Sequence, residues 1–259
     1  MRTLARFAVA AALPWTAFAF QADFNWSGTV SPGQTLAVKN VNGFVHAELA
    51  TGNVIEVTGH KTVHRGDPNS VEIRVAPTAN GVTICAVYLG DGSTSNDCES
   101  SHGNHNGGRD NNDVTVDFTV KVPAGVHFAP QTVNGAVRAM GLKSDVQAAS
   151  VNGNVRVQTS GLVRASTVNG SIEATMGAST WDGALSFSSV NGSIDITMPS
   201  GINADVHATS VSGGISSDFP LTMNGSLNKG SVRARIGAGG HELKFSTVNG
   251  AITLHQATI

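Results

Sequence analysis

The sequence predicts a nearly all-β protein built as a parallel β-solenoid, and three observations lead to this prediction. Apolar and polar residues alternate over many short stretches, as in DVTVDFTVKV at 113–122, which is the pattern of strands with one buried face. After residue 19, no stretch of useful length has the apolar spacing of an amphipathic helix. A motif built on Val-Asn-Gly also recurs at intervals that are typical of stacked repeats.

The first 19 residues, MRTLARFAVAAALPWTAFA, are the exception to the strand pattern. They carry two arginines, then an apolar run, then small residues at Ala17 and Ala19. This order is that of a secretory signal peptide, so we expect cleavage after Ala19 and export of residues 20–259 as one domain. A buried N-terminal helix is the alternative. No later run approaches the roughly 18 apolar residues of a membrane-spanning helix, so we expect no span.

Composition limits the partners and the shape of the core. The chain has 16 basic and 18 acidic residues, and loss of the leader removes two basic ones, so 14 against 18 leaves a formal charge of −4. This balance gives no electrostatic footprint for nucleic acid, which we do not expect as a partner. Aromatic residues make up 5% of the chain while glycine supplies 30 residues, which favours a narrow core lined by Val, Ile, Leu and Ala.

Six copies of the Val-Asn-Gly motif follow one another, and a looser copy, KNVNGFVHA, precedes them at 39–47. Successive copies begin 18, 17, 22, 21 and 37 residues apart, so the last interval is long enough for two units. In a solenoid each copy would lie on the previous one at about 4.8 Å, with like residues stacked on like. The six copies are QTVNGAVRA (131–139), ASVNGNVRV (149–157), STVNGSIEA (166–174), SSVNGSIDI (188–196), TSVSGGISS (209–217) and STVNGAITL (246–254).

Two apolar columns of this alignment are expected to form the core. If the chain passes through the motif as one bent strand, the Val before Asn and the Val or Ile three residues after Asn share the buried face. The Ser or Thr before that Val would then face solvent. The residue that follows the second apolar column would also face solvent, and at this position we expect Arg156 and Glu173 of successive copies to be neighbours. The two columns expected inside are Val133, Val151, Val168, Val190, Val211 and Val248, and Val137, Val155, Ile172, Ile194, Ile215 and Ile252.

The Asn-Gly pairs are expected to shape the bend of each coil. Stacked asparagines can hydrogen-bond along the stack, and glycine permits a positive φ or a sharp bend without a Cβ clash. Asn-Gly is also a strong hairpin signal, so a hairpin-built β-sandwich is the alternative fold. Hairpin pairing would put the two apolar columns on opposite faces, which favours the solenoid. The residues given this structural role are Asn134, Gly135, Asn152, Gly153, Asn169, Gly170, Asn191, Gly192, Asn249 and Gly250.

The segment 89–113, LGDGSTSNDCESSHGNHNGGRDNND, differs in composition from everything around it and predicts a long polar surface loop. Cys85 and Cys98 are the only cysteines of the chain. In an exported protein, two cysteines at this spacing are expected to form a disulfide that holds the loop to its strand. On the chain-entropy estimate the closure of so short a loop stabilises the fold by about 3 kcal/mol.

The same loop holds the candidates for a metal site. His102 and His105 with a nearby carboxylate, Asp97 or Asp110, could bind zinc, and the Asp and Asn oxygens could suit calcium. The spacing matches no EF-hand loop, and the GGxGxD repeat of calcium-binding rolls is absent. We therefore expect a solvated loop and no cofactor, with a metal- or ligand-binding periplasmic domain as the first alternative function.

Catalysis has little support in the sequence. No GxSxG elbow is present, and the nine histidines are scattered without a paired base nearby. The second alternative function is a polysaccharide-active β-helix enzyme, which would need two carboxylates in a groove, within about 10 Å of each other. We expect no enzyme.

The repeated [ST]-V-N-G-x-[IV] series resembles the bacterial putative-adhesin family of exported proteins, a domain of unknown function. The resemblance also rests on VKVPAGV at 120–126 and on RIGAGGHELKFSTVNGAITL near the C-terminus, and it covers the chain from about Val30 onward. It implies an extracytoplasmic, right-handed β-solenoid with no established catalytic residues. Ser212 stands where this pattern has Asn, which puts an unbroken asparagine ladder in doubt at that copy.

These observations combine into one functional hypothesis. The chain is expected to be a non-enzymatic, exported β-solenoid that acts as an adhesin-like structural or interaction module at the cell envelope. Its location would be the periplasm or the cell surface, and its partner would be a component of the envelope or of the extracellular medium. The open edges of such a stack need covering, and the N-terminal segment and the stretch 219–235 are the candidate caps.

Overall fold

The computed structural model describes residues 24–65, 67–89, 98, 113–223 and 230–257. The predicted leader at 1–19 lies outside the described residues, as does most of the predicted loop at 89–113. Within the described part, the chain forms 21 strands in two sheets, one 3-10 turn at Pro68–Ser70, and no α-helix.

The strands are short and follow one another closely along the chain. In chain order they are β1 (Phe24–Gly28), β2 (Thr35–Lys39), β3 (Val45–Leu49), β4 (Ile55–Arg65), β5 (Val71–Thr78), β6 (Gly81–Tyr88), β7 (Asp113–Val122), β8 (His127–Asn134), β9 (Val137–Leu142), β10 (Val146–Asn152), β11 (Val155–Thr159), β12 (Val163–Ser166), β13 (Ile172–Met176), β14 (Ala184–Ser188), β15 (Ile194–Met198), β16 (Ala204–Ser210), β17 (Ile215–Ser217), β18 (Leu221–Met223), β19 (Ser231–Ile236), β20 (His241–Thr247) and β21 (Ile252–Gln256).

Each coil of the solenoid gives one strand to each of the two sheets. Sheet A has the order β1-β4-β7-β3-β9-β11-β13-β15-β21-β17, and sheet B has the order β18-β19-β16-β20-β14-β12-β10-β8-β2-β6-β5. The repeated strands pair in parallel and in register, so that Val155 lies beside Ile172 and Ile172 beside Ile194. Parallel stacking excludes the hairpin-built sandwich and confirms the predicted β-solenoid.

One hydrophobic core runs between the two sheets along the stack. Sheet A supplies the predicted Val/Ile column, whose members Val155, Ile172 and Ile194 are fully buried. Sheet B supplies larger side chains, and the rings of Phe187 and Phe245 stack with their centroids 5.4 Å apart. The core is therefore narrow and mainly aliphatic, as the composition predicts.

The coils do not stack in chain order at either end. The last coil, β20 with β21, lies between the coil of β14 and β15 and the coil of β16 and β17. At the other end, the coil of β2 and β3 lies between that of β6 and β7 and that of β8 and β9. The 37-residue interval between the last two motif copies therefore contains the capping strands β18 and β19, and the final copy turns back into the stack.

Antiparallel strands cover three of the exposed sheet edges. At the N-terminal end, β4 and β1 extend sheet A, and β5 extends sheet B. At the C-terminal end, β19 and β18 extend sheet B beyond β16. The expected caps are thus confirmed, whereas sheet A ends at the three-residue strand β17. A short edge strand offers few free backbone groups for unwanted pairing.

The prediction that the Val before Asn lies in the core is wrong. Val151, Val168 and Val190 are 38–40% exposed, and Val211 is 71% exposed. The preceding Ser or Thr points inward instead; Thr167, for example, is 5% exposed. The reason is that the chain turns a corner between sheet B and sheet A at Asn-Gly, so the alternation of faces along sheet B does not continue in phase into sheet A.

Candidate interaction surface

The repeated motif forms the corner at which each coil passes from sheet B to sheet A. Strands β8 and β10 end at the Asn of their motif, and the following strand of sheet A begins three residues later. The Asn-Gly pair thus occupies the turn, with a buried Ser or Thr before it and a buried Val or Ile after it. The corner is the same in successive coils because its residues contact their own copies above and below.

A ladder of buried hydroxyl groups fixes this corner. Thr167 Oγ1 donates a hydrogen bond to the carbonyl oxygen of Gly153 in the adjacent coil, at 2.9 Å. The same bond joins every pair of adjacent coils in this series, at 2.8–3.0 Å. Each bond satisfies a glycine carbonyl that the turn removes from the sheet ladder. The donors are Thr132, Ser150, Thr167, Ser189, Thr247 and Ser210, and the acceptors are Gly43, Gly135, Gly153, Gly170, Gly192 and Gly250.

The glycines are needed for close approach between coils. A Cβ atom built on Gly170 would overlap the carbonyl oxygen of Gly153, and the same holds for the glycines above and below. Gly170 does not have a positive φ; in this column only Gly43 of the looser copy does, at 118°. Of the two expected reasons for glycine, space for the neighbouring backbone is therefore the one that applies to the six main copies.

The asparagine side chains form a second ladder outside the hydroxyl ladder. Each Nδ2 donates to the Oδ1 of the asparagine in the preceding coil, at 2.7–2.8 Å. The ladder runs through Asn42, Asn134, Asn152, Asn169, Asn191 and Asn249. Ser212 does not interrupt it, because its coil lies beyond that of Asn249 at the end of the stack. All five hydrogen bonds point the same way, so each amide polarises the next.

A ridge of exposed valines lies along the outside of the corner. We call it the valine ridge; its exposed members, in stack order, are Val151, Val168, Val190, Val248 and Val211. Their backbones are joined from coil to coil, as in the bond from Val190 N to the carbonyl oxygen of Val168 at 3.2 Å. The asparagine ladder borders the ridge on one side. A row of hydroxyl side chains on sheet B, Ser166, Ser188, Ser246 and Thr209, borders it on the other.

The outer face of sheet A carries side chains that change from coil to coil. Arg156 and Glu173 lie side by side in register, and Nη2 of Arg156 donates to Oε1 of Glu173 at 2.6 Å. This confirms the expected neighbour pair. Asp195 follows Glu173 on the next strand, so two carboxylates are adjacent here. They lie on an open sheet face, about half exposed, and are engaged by Arg156 and His255.

His255 links the last two strands of sheet A to each other. Its Nδ1 lies 2.9 Å from Oδ2 of Asp218, just beyond β17, and its Nε2 lies 3.6 Å from Oδ2 of Asp195. The hydrogen bond with Asp218 and the charges of both carboxylates raise the pKa of His255 above its ordinary value, and the same bond lowers the pKa of Asp218. Both ring nitrogens face carboxylates, which favours the protonated form of the imidazole.

The structure describes both cysteines but none of the candidate metal ligands. Cys85 and Cys98 form a disulfide, with their Cα atoms 5.8 Å apart, and Cys98 packs against Val87 and Ala76. Cys98 is also held by the ammonium group of Lys39, which donates to its carbonyl oxygen at 3.2 Å. The metal candidates Asp97, His102, His105 and Asp110 lie outside the described residues.

Two features are absent from the described residues. None of the helical structure found there is long and apolar enough to cross a membrane. Within those same ranges, no group of three or more His, Cys, Asp or Glu side chains is placed to hold a metal ion.

Sequence reasoning missed the hydroxyl ladder, the valine ridge and the link through His255. The ladder had a signal, because a small hydroxyl side chain precedes Val-Asn-Gly or Val-Ser-Gly in all six main copies. Such uniformity is unusual for a solvent-facing position and indicates a fixed hydrogen-bond partner. The link had no local signal, because Asp218 and His255 are 37 residues apart and meet only through the reversed order of the last coils.

The two parallel sheets and the stacked corner define a β-solenoid repeat protein. The model of the Toastrack DUF4097 family matches residues 91–255, more than half of the chain. The chain belongs to this family, which confirms the resemblance to the putative-adhesin family of unknown function. A search of curated protein sequences finds no significant match.

Two solved structures are similar to this chain over most of its length. A putative cell adhesion protein from Clostridium sporogenes is 11% identical, with 90% of this chain and 99% of that chain covered and a TM-score of 0.45. A putative adhesin from Bacteroides fragilis is 15% identical, with 89% of this chain and 96% of that chain covered and a TM-score of 0.25. The family match is the finding that identifies the chain.

Proposed function

We propose that the protein is a non-enzymatic, exported interaction module that binds a partner at the cell envelope through its repeated corner. The observation that carries this proposal is the valine ridge. A continuous apolar strip over five coils, at about 4.8 Å per coil, extends for roughly 20 Å. Contiguous exposed apolar surface of this kind marks interaction sites in soluble proteins, whereas single exposed apolar residues do not.

The surroundings of the ridge support the same proposal. The asparagine ladder on one side and the hydroxyl row on the other place hydrogen-bonding groups along both edges of the apolar strip. An apolar centre with a polar rim is the usual composition of a protein interface. The buried hydroxyl ladder holds the ridge in place, so little conformational entropy is lost when a partner binds.

Export is supported by two independent features. The leader predicted at 1–19 has the order of a secretory signal peptide. The Cys85–Cys98 disulfide requires an oxidising compartment to persist, as in the periplasm or outside the cell. Together they favour an extracytoplasmic location for the proposed binding.

The geometry of sheet A does not favour the alternative function, a polysaccharide-active enzyme. A glycosidase pair needs one carboxylic acid kept protonated by an apolar pocket and one free carboxylate, placed on either side of a bound sugar. Glu173 and Asp195 lie on the same flat face, and each contacts a basic side chain. The same surface suits charge pairing better than acid-base catalysis.

The proposal can be tested by co-sedimentation of labelled mature protein, residues 20–259, with isolated bacterial envelope fragments. The ridge variant is Val168→Thr/Val190→Thr/Val248→Thr, which keeps the shape of the side chains and their preference for strands. The control is Val54→Thr/Val63→Thr, at two exposed valines outside the ridge. We expect the ridge variant to bind at least about 10-fold more weakly, and the control to bind like the natural protein.

Three results would overturn the proposal. The first is natural protein that stays in the supernatant, and the second is a ridge variant that binds as tightly as the control. The third is release of reducing ends when the mature protein is incubated with a panel of envelope glycans, which would establish enzymatic activity.

A further inference from the structure

The outer face of sheet A changes charge halfway along the stack. One row of outward residues follows the register of Arg156 through eight neighbouring strands. Its basic residues, Arg138 and Arg156, lie on the N-terminal side of the midpoint, and its acidic residues, Glu173 and Asp195, lie on the C-terminal side. In stack order this first row is Thr119, His46, Arg138, Arg156, Glu173, Asp195, Thr253 and Ser216.

A second row, two residues further along the strands, has charges only at its ends. Lys121 and Glu48 form an ion pair at the N-terminal end, and His255 and Asp218 form one at the C-terminal end. The residues between them are uncharged. In stack order the second row is Lys121, Glu48, Met140, Gln158, Thr175, Thr197, His255 and, just beyond β17, Asp218.

These two rows complement their own reversed copies. A two-fold axis that runs parallel to the strands, between β11 and β13, reverses the stack order and keeps each row opposite itself. Every charged position except His46 then meets an opposite charge. The facing pairs are Arg138 with Asp195, Arg156 with Glu173, Lys121 with Asp218, and Glu48 with His255, and the symmetry produces each pair twice.

We propose that the outer face of sheet A is a self-association surface, covered by the same face of a second copy of this chain in this antiparallel arrangement. An isologous contact requires that one patch be complementary to itself under a two-fold rotation, and the two rows meet this requirement. A two-fold axis along the stack would instead place Arg138 against Arg138 and Asp195 against Asp195. Like-charge contacts of that kind select against the wrong arrangement.

The dimensions of the face fit such a dimer. Sheets that pack face to face lie about 10 Å apart, a gap that an Arg or Lys side chain can span to reach a carboxylate. Eight strands at about 4.8 Å and five residues at about 3.3 Å give a face of roughly 640 Å², or about 1,300 Å² for both copies. That area falls within the range of specific interfaces. Because the contact is mainly ionic, it weakens as salt is added.

The test is a charge exchange between two variants. Arg138→Glu and Asp195→Arg each put two like-charge contacts into the dimer. Within the sheet, each new charge lies beside an opposite one, Arg156 or Glu173. Because Asp195→Arg also removes the contact with His255, thermal unfolding is used to verify that both variants are folded. Mixing the two variants restores both contacts, because Glu at 138 of one copy then faces Arg at 195 of the other. The control is Lys143→Glu, the same charge change at an exposed residue between β9 and β10, off both rows.

Sedimentation velocity at about 20 mM and about 500 mM salt measures the dimer dissociation constant. We expect the natural protein and the control to dimerise at low salt and to dissociate at high salt. Each single variant should dimerise at least about 30-fold more weakly, and the equimolar mixture should regain an affinity within about 3-fold of the natural protein. Natural protein that stays monomeric at low salt, single variants that dimerise normally, or a mixture that stays monomeric would each overturn the proposal.

Discussion

The corner and the outer face of sheet A belong to the same coils, yet they differ in how the sequence uses them. At the corner, each coil repeats the same small set of residues; each hydroxyl group bonds to a glycine carbonyl oxygen of the adjacent coil, and each asparagine bonds to the asparagine there. On sheet A, the residues in one row change from Arg156 to Glu173 to Asp195 over three coils. Repetition here builds the stacked corner and its valine ridge, whereas the rows on the outer face of sheet A are free to vary from coil to coil.

The strongest way to break the corner is to add one methyl group to its glycine column. Gly170→Ala forces a Cβ onto the carbonyl oxygen of Gly153, so the coils must separate. We expect the free energy of unfolding to fall by about 3 kcal/mol, as measured by chemical denaturation. Gly214→Ala is the matched control, because its Cβ would meet open space and its φ is not positive. An equal loss in both variants would contradict the account.

Removing one hydroxyl from the ladder should have the next largest effect. Thr167→Val keeps the shape of the side chain but removes the donor to the Gly153 carbonyl oxygen. We expect a loss of about 1–2 kcal/mol, because a buried carbonyl is left without this partner. Thr175→Val, on sheet A, is the control, since Thr175 makes no side-chain hydrogen bond within the described ranges. If the two variants are equally stable in denaturant titrations, the ladder does not stabilise the corner.

The asparagine ladder allows a comparison between its middle and its end. Asn169→Ala removes two amide hydrogen bonds, to Asn152 and from Asn191, and should cost about 1 kcal/mol because these groups are exposed. Asn249→Ala, at the last asparagine of the stack, removes one such bond and should cost roughly half as much. Thermal unfolding of both variants measures the ratio. A larger loss at Asn249 would show that the ladder continues past it.

The smallest expected effect concerns the variable face and depends on pH. The pKa of His255 is raised above 6.5, so its stabilisation is complete below about pH 6.5 and is lost as the pH rises through the raised value. The pKa of Asp218 is lowered below 3.8, so its contribution is complete above about pH 3.8 and is lost as the pH falls. The link to β17 is therefore strongest between these two values.

Amide hydrogen exchange of β17, corrected for the intrinsic pH dependence, measures this effect. We expect protection to decrease as the pH rises above the window, while the exchange of the central strand β13 stays unchanged. His255→Gln should abolish the pH dependence at β17. If exchange at β17 has the same pH profile in the natural protein and in the His255→Gln variant, His255 does not hold β17 in place.

Much of the fold could be predicted because the residues that determine it are local. The Val/Ile column, with Val155 and Ile172 as examples, is a period-two signal inside one strand, and it is buried as predicted except at Ile215 on the edge strand β17, which is partly buried. The predicted burial of the Val168 column is wrong because a corner lies between Val168 and Ile172. Whether the alternation of buried and exposed residues continues across a turn depends on backbone geometry, which composition does not reveal. The same residue type therefore lies in the core in one column and on the ridge in the other.

The order of the coils could not be predicted for a different reason. Whether the copy at 246–254 stacks on the copy at 188–196 or on that at 209–217 depends on contacts between segments far apart in sequence. All three copies have nearly the same residues, so each pairing satisfies the same local pattern. The site features that depend on this order, His255 with Asp218 among them, were equally out of reach.

The most direct test of the account is to measure which motif copies are neighbours. In the stack, Asp195 is in register with Thr253, and Ser216 lies one strand further on. Adjacent in-register Cα atoms are close enough for a disulfide, whereas those two strands apart, at about 9.6 Å, are not. Peptide mapping after oxidation should find a cross-link in Asp195→Cys/Thr253→Cys and none in Asp195→Cys/Ser216→Cys. The reverse result would mean that the copies stack in chain order, and it would contradict the continuous corner described here.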